Sequence, residues 1–433
     1  MLASPKYESY KDSGVQWIGQ LPSHWKIRRN LGLFDERKEV NQPDMELLSV
    51  TIDKGVIKQS EIATKKDSSN EDKSKYKVVR KGDLAYNKMR MWQGAIGMSD
   101  YDGIVSPAYI ILNTRNQLYS RYFHYLYRTE SFIREADRHS YGLCSDMNSL
   151  RYEDFKTIYS PVPPEQEVGK IVDFLDRTTT DIDRAIAQKQ RLIELLQEQK
   201  AILINQAVTK GLNPNVSMKD SGIDAIGEIP KHWVVCRVKH IVKTITKGTT
   251  PSTEGKGFSD TGIRYFKAEN IFESQIVLEP EFFIDERTNC LLKRSQINEG
   301  DVLFVIAGAT IGKTAVVHEG HIPANTNQAV SLIRPSSKVR SGYLHLWLQS
   351  NYVENLLRVS SVQSAQPNIA MEDLGNIEIP LSALEEQDQI IKSVTELSTP
   401  FSEMIDTQKK AIESLIELKS IFIANAVTGK IKA

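Results

Sequence analysis

The sequence predicts an α+β protein in which two sheet-rich domains are separated by two long antiparallel helices forming a coiled coil, arranged as a pseudo-two-fold internal repeat. Three observations predict it. A short segment occurs twice, a long helical block occurs twice, and the stretches between them alternate apolar and polar residues among frequent turn signals.

The short segment is KDSGVQWIGQLPSHWKIRRN at 11–30, which aligns without gaps on KDSGIDAIGEIPKHWVVCRV at 219–238. Ten positions are identical, including Gly14/Gly222, Pro22/Pro230, His24/His232 and Trp25/Trp233. The second block begins with RYEDFKTIYSPV at 151–162 against AMEDLGNIEIPL at 370–381. It runs ungapped, at a spacing of 219, to QAVTKG at 206–211 against NAVTGK at 425–430. These boundaries divide the chain into a repeated segment at 1–30, a first variable domain at 31–162 and a long helix within 163–212. The second half-molecule follows as a segment at 213–238, a variable domain at 239–381 and a helix within 382–433. A length of 433 residues likewise calls for several domains at roughly 150 residues each.

From about Glu165 to Thr209 there is no proline, and Ile171, Leu175, Ile182, Ile186, Ile193, Leu196 and Leu203 recur at intervals of three, four or seven. That is the pattern of an amphipathic helix, roughly 65 Å long at ~1.5 Å per residue. The second copy, about Glu385 to Thr428, repeats it with Val394, Leu397, Phe401, Ile405, Ile412, Leu415 and Phe422. A stripe of this length needs a partner, and each helix offers one to the other. Lys189 and Gln408 interrupt the two seams as register-fixing polar residues would, and Pro400 is expected to bend or break the start of the second helix.

The variable stretches, 31–150 and 239–369, resemble each other only faintly. LLSVTI, KVVRKGDLAY and GIVSPAYIIL are strand-like in the first, and GIRYFKAENI, GDVLFVIAG and QAVSLIRP in the second. Each stretch closes with a predicted helix, Tyr119 to Arg138 and Ser341 to Arg358. A framework kept twice around dissimilar inserts implies two sites doing one job on different targets.

Charge suggests what those targets are. The chain is neutral overall, with 55 basic and 55 acidic residues, but Lys54 to Arg90 holds eleven Lys/Arg against five Asp/Glu. Arg237 to Lys267 holds seven against two, and residues 372–403 offset both with eight acidic side chains and one basic. Paired basic stretches point to nucleic acid, where cations hold phosphates and Arg, Lys, Asn or Gln read base edges. The candidate DNA-binding residues of the first domain are Lys54, Lys65 and Lys66, then Asn87, Lys88, Arg90 and Trp92 in YNKMRMWQG. Those of the second are Lys247, Thr249, Thr250, Ser252 and Lys256 in TKGTTPSTEGKG, with Lys267, Asn270 and Lys313. Asn325, Asn327 and Gln328 complete the set.

The same residues carry a family likeness. SG(x)3-IG(x)2-P(x)HW, KGTTPS followed by GIRYFKAENI, GDVLFVIAGATIGKTAVV, NQAVSLIRP, AQPNIAMEDLGNIEIPL and the PPEQEVGKIVDFLD helix start resemble the specificity subunits of type I restriction–modification systems along essentially the whole chain. The resemblance implies that each variable domain is a target-recognition domain reading one half of a split, asymmetric sequence in double-stranded DNA. It also implies that the helices space the two readers and dock two modification (methyltransferase) subunits, which restriction (endonuclease and translocase) subunits join. The helix start LSALEEQ and Pro400 depart from the first copy, and weaken the parallel at that end.

Enzymatic alternatives find little support. AGATIGKT at 307–314 has Ala307 where a phosphate-binding loop needs glycine, and the β-branched residues after it, ending in Gly320 and Pro323, predict a hairpin where a helix would be required. An ATPase centred on Lys313 is therefore the weaker reading, as is a coiled-coil scaffold that never touches DNA. His318 and His321 lack a third ligand, so neither a metal site nor a cofactor is expected. No methyltransferase tetrapeptide and no nucleophile elbow occurs, so the chain is read as non-catalytic. His24 and His232 are expected to be structural, with Trp25 and Trp233 packed beside a helix end. Cys144, Cys236 and Cys290 are odd in number and far apart, which predicts free thiols. With no h-region in MLASPKYESYKDSG and no apolar run long enough to span a bilayer, a cytoplasmic protein without membrane contact is expected.

Overall fold

The computed structural model describes residues 6–62, 72–142, 148–362 and 368–433. The chain forms two compact units, Met1–Lys189 with Lys410–Ala433, and Gln190–Lys409. Among the described residues, no helix is long and apolar enough to cross a membrane.

In the first unit, the repeated segment opens as a hairpin, Tyr10–Asp12 against Gln20–Pro22, and its Lys26–Arg29 strand pairs with Tyr159–Val162 at the other end of the variable stretch. Between them lies a four-stranded antiparallel sheet in the order Phe34–Glu36, Tyr109–Thr114, Leu84–Asn87, Ile96–Met98. One face of this sheet packs on helices Ser120–Leu126 and Glu130–Arg138 through Phe34, Leu112, Phe123, Tyr127 and Phe132, all buried.

The second unit repeats the plan. Met218–Asp220 pairs with Glu228–Pro230, and Val234–Arg237 with Glu378–Leu381. Its main sheet runs Val242–Lys247, Val330–Pro335, Val302–Val305, Thr314–Val316, the same order of equivalent strands as in the first unit. The equivalence includes a detail of the turn before the third strand in that order. Asp83 and Asp301 are both 1% exposed. Each accepts from the backbone N–H three residues earlier, of Arg80 and Asn298 respectively. Each also receives a two-pronged arginine, Arg37 for Asp83 and Arg334 for Asp301. The second unit adds a mixed three-stranded sheet in which Ile263–Phe266 runs parallel to Ala324–Thr326.

The two long helices are Glu165–Lys210 and Leu384–Val427. Within the first unit they run antiparallel, Phe174 edge-on to Phe422 and Asp183 bonded by Lys419 at 2.7 Å. Within the second unit the same sense holds, with Lys200 donating to Ser402 at 2.9 Å. Of the predicted seam residues, Ile171, Leu175, Ile182, Leu196, Val394 and Ile405 are buried. Leu397, expected on the seam, is instead 54% exposed. Pro400 does not break the second helix: it has no N–H to donate to the carbonyl of Glu396, but Glu396 is exposed, so water can satisfy that carbonyl.

The predicted helices at 119–138 and 341–358 are each two helices. Ser120–Leu126 gives way to Glu130–Arg138, where Thr129 caps by accepting from Phe132 N–H. Ser341–Leu348 gives way to Asn351–Val362 after Ser350.

Each repeated segment holds a helix at both ends. Glu167, in the first turn of its helix, accepts from Trp25 Nε1 at 3.0 Å and from Tyr7 OH at 3.0 Å, and lies 2.6 Å from His24 Nε2. Burial pushes its carboxyl up, but the bonds from Trp25, His24 and Tyr7 outweigh that and hold it below the usual range. Glu386, 219 positions on, repeats the arrangement with Trp233 and His232, both at 2.9 Å. The two histidines and tryptophans are therefore structural, beside a helix end as the sequence predicts. Helix C-termini meet the same motif. The first long helix ends at Gly211, against Trp233 and Pro230, and the second at Gly429, against Trp25 and Pro22. Cys236 is half-buried and Cys290 exposed, both free; Cys144 lies outside the described residues.

Candidate nucleic-acid interface

In the second unit, the loop 247–252 leaves the edge strand of the main sheet and is laid against the 326–330 turn. Thr249 N–H donates to Thr326 C=O and Gly248 N–H to Val330 C=O. The approach is so close that a Cβ on Gly248 would stand 2.1 Å from the Thr326 oxygen, so only glycine fits. Tyr265 OH donates to Thr249 C=O at 2.8 Å and fixes the loop from below. This brings Lys247, Thr249 and Thr250 beside Asn327 and Gln328, of which Lys247 and Gln328 are exposed. Asn327 uses its Oδ1 to accept from Ala329 N–H, which orients its amide. Ser252 and Lys256 belong to the adjoining turn, Ser252 exposed and Lys256 half-buried.

One residue of this patch is missing from the sequence reading. The exposed Arg294 reaches Thr249 Oγ1 with a guanidinium N–H at 3.3 Å. It lies in LLKRSQ, without glycine or turn signal, and only the fold carries it to the loop.

Two predicted residues leave the set. Asn270 is 1% exposed, and its amide donates to the carbonyls of Val277 and Pro280 while its Oδ1 accepts from Lys267 N–H. Asn325 is fully buried, donating to Asn289 Oδ1 and Leu292 C=O and accepting from Thr326 N–H. Both hold loops, and neither can present an amide to a base. Lys267 is half-buried with its ammonium 3.2 Å from the centre of the Phe282 ring and 4.8 Å from that of Phe258. Lys313 lies over Phe272 at 5.1 Å, and the same ring is shared with Lys409 of the long helix. The 307–314 segment joins two antiparallel strands, Val302–Val305 and Thr314–Val316, and enters no helix, so it has not the shape of a phosphate-binding loop.

In the first unit, Lys54 stands exposed in the turn of the hairpin Leu48–Thr51/Gly55–Lys58. That turn is held by Arg128, largely withdrawn from solvent, whose guanidinium donates to the carbonyls of Ile52, Asp53 and Ile96. Asn87 and Lys88 end the Leu84–Asn87 strand, and Asn87 Oδ1 accepts from Met89 N–H. Arg90 is exposed beyond it. Trp92 is half-buried with its indole N–H on Met89 C=O at 3.0 Å, and the neighbouring Met91 fills the core in its place. Lys65 and Lys66 lie outside the described residues. Among the described residues no cluster of three metal-ligating side chains occurs. His318 and His321 instead bond each other's loop, His318 N–H donating to His321 Nδ1 at 3.0 Å.

Two units of one strand order, each carrying a different polar loop edge, define a duplicated protein with divergent loops. The comparisons say of which kind. The model of the family described as the type I restriction modification DNA specificity domain matches residues 230–414. The chain is 26% identical over 364 residues to the type I restriction enzyme MjaVIII specificity subunit of Methanocaldococcus jannaschii, covering 82% of this chain and 80% of that one. It is 23% identical to the putative MjaX specificity subunit of the same organism, covering 100% and 99%. In fold it matches a chain from a structure of complex assembly and conformational transition in the type I R-M system, with a TM-score of 0.67 at 17% identity, over 94% of this chain and 98% of that one. Residues 230–414 thus match a type I restriction modification DNA specificity domain, and along most of its length the chain is similar to type I specificity subunits.

Proposed function

We propose that each unit reads one half of a bipartite, asymmetric site in double-stranded DNA, the first through Lys54, Lys88, Arg90 and Trp92, and the second through Lys247, Thr249, Thr250, Asn327, Gln328 and Arg294. The observation that supports this is the pairing of an identical strand order with dissimilar loops. The scaffold is kept while the residues able to contact bases differ, which suits two readers of unlike sequences. Lysines and Arg294 at the loop edge would supply phosphate affinity, and Asn327 and Gln328 carry the amide geometry that suits adenine.

The chain itself would carry out no chemistry. Methylation and cleavage would be the work of two modification subunits seated on the helices and of restriction subunits added to them, in the cytoplasm. Helix length would then set the number of unread base pairs between half-sites, at about 34 Å per turn of duplex.

The test is methylation sequencing of a host carrying the intact system, before and after residues 31–162 are replaced by those of a relative with another target. A bipartite motif that changes in one half alone is the expected result. A continuous motif, or one unaffected by the exchange, would overturn the proposal.

A further inference from the structure

The strands Tyr109–Thr114 and Val330–Pro335 hold the same place in their sheets, Tyr109 pairing with Asn87 and Val330 with Val305. The turns that lead into them read VSPAY at 105–109 and TNQAV at 326–330, which share only the alanine. Their hydrogen bonds are nevertheless the same. Tyr109 N–H donates to Ser106 C=O at 3.1 Å, as Val330 N–H does to Asn327 C=O at 3.2 Å. Lys88 N–H donates to Ala108 C=O and Leu150 N–H to Lys88 C=O, as Ile306 N–H does to Ala329 C=O and Ile369 N–H to Ile306 C=O. The side chains follow suit: Ser106 Oγ accepts from Ala108 N–H at 3.4 Å, and Asn327 Oδ1 from Ala329 N–H at 3.1 Å. Burial agrees, with Ser106 and Asn327 half-buried and Pro107 and Gln328 exposed. Backbones bonded alike from end to end follow one path, so Ser106 leaves the first turn where Asn327 leaves the second.

What flanks the two turns differs. Ile306, beside the second, is buried, and the cation there is Lys247, at the end of the edge strand Val242–Lys247. Lys88 takes the place of Ile306 beside the first turn, just after the strand Leu84–Asn87. The two cations therefore approach one common point from opposite sides of the strand that follows the turn.

We propose that Ser106 and Asn327 occupy one specificity-determining position used by both readers, and that Ser106 meets a base of the first reader's half-site through its hydroxyl. The bond from the N–H two residues on takes up one lone pair of each side-chain oxygen. Asn327 then has its amide N–H groups and a remaining lone pair to present, the donor and acceptor that suit adenine. Ser106 has a single hydroxyl, which serves a donor or an acceptor edge alike, so the first half-site should be the less selective at this position. The inference rests on the two units being DNA readers. It adds to the first a residue without charge or amide, set beside Lys88 by the fold.

The experiment is methylation sequencing of a host carrying the intact system with the unaltered chain, Ser106→Asn, Ser106→Ala or Asn327→Ser. In Ser106→Asn the new side chain can take the Ala108 N–H as Asn327 takes that of Ala329, so the turn is retained. Ser106→Asn is expected to favour adenine at one position of one half-site by about 5- to 150-fold, and Ser106→Ala to relax that same position. Asn327→Ser is expected to relax one position of the other half-site by a similar factor. In each variant the opposite half-site and the spacer stay as they are. Should Ser106→Asn methylate nothing, Ser106→Ala decides by the same criterion. Target choice unaltered in both Ser106 variants, or altered in both half-sites at once, overturns the inference and leaves the two-reader proposal standing. A continuous motif from the unaltered chain would overturn that proposal, and this inference with it.

Discussion

Gly429→Ala and Gly211→Ala are the same substitution in equivalent surroundings, and the structure gives them different consequences. Both residues end a long helix in the left-handed region, at φ +71° and +70°. An L side chain there costs about 1–2 kcal/mol at either place. At Gly211 the new methyl would stand 3.3 Å from the edge of the Trp233 ring, a contact that a small tilt relieves. At Gly429 it would stand 2.3 Å from Pro22 Cδ and 2.6 Å from Pro22 Cγ, in a ring that cannot rotate aside. The helix end must lift, loosening Ala426 and Val427, both fully buried beside Trp25, for about 1–3 kcal/mol more. The totals are about 2–5 kcal/mol for Gly429→Ala and about 1–2 for Gly211→Ala. Because two units need not unfold together, hydrogen exchange is the suitable assay. Peptides covering 20–25 should exchange about 30-fold faster or more in Gly429→Ala, and those covering 228–233 about 5- to 30-fold faster in Gly211→Ala. Equal acceleration in the two variants would refute the argument from Pro22.

Arg294→Ala should weaken duplex binding and reduce the salt slope by about one phosphate contact, with stability unchanged because the side chain is exposed; an unaltered slope would remove it from the interface. Asn325→Ala should lower the stability of the second unit by at least about 2 kcal/mol, since Thr326 N–H, Asn289 Oδ1 and Leu292 C=O each lose a partner. An Asn325→Ala protein of full stability with altered target choice would restore this residue to the reading surface. Acid should destabilise both units. Burial, aided by Arg128 and Arg121, pushes His124 down to about 3, and its Nδ1 accepts from Met98 N–H. Burial, with Lys200 and His318, pushes His345 down to about 4. Each therefore favours the fold above the ordinary histidine value of about 6.5, and that contribution is lost as pH falls from there towards 4 and 3. By pH 5 the loss is at most about 2 kcal/mol per histidine, less for what exposure each ring retains. His124→Gln should flatten the acid limb of a stability curve for the first unit alone; an unchanged curve would show that other groups set it.

The helices were legible in the sequence because their periodicity is local and their register repeats at a fixed spacing. So was the structural role of His24, Trp25 and their counterparts, since a motif repeated outside the variable stretches speaks for framework. The helix breaks at Thr129 and Ser350 were not read, because the apolar residues on either side carry a helical pattern straight through 119–138 and 341–358 and mask the capping signals between them. The common strand order of the two domains was not legible, because pairing between distant strands leaves no trace in segments that share almost no residues. Nor could the sequence separate Asn325 from Asn327. Both are asparagines in one turn-rich run, and only burial distinguishes an amide that holds a loop from one that faces outwards. Arg294 was missed for the converse reason: a helical-looking neighbourhood hides a loop contact made through folding.

The buried carboxylates bear on how such a protein could acquire new targets. Register places Asp83 and Asp301 at one position of the sheet, yet Arg37 answers the first from the edge strand and Arg334 the second from the strand beside it. The counterpart of Arg37 is Thr246, and that of Arg334 is Asn113. A hybrid domain joining the early part of the second to the late part of the first would therefore enclose a carboxylate with no cation, at about 3–5 kcal/mol, while the reciprocal hybrid would have two cations for one acid. Exchange between the halves is thus penalised inside the sheets and free at the duplicated segments that border them, so that whole readers, and not fragments of readers, are the units that can be traded.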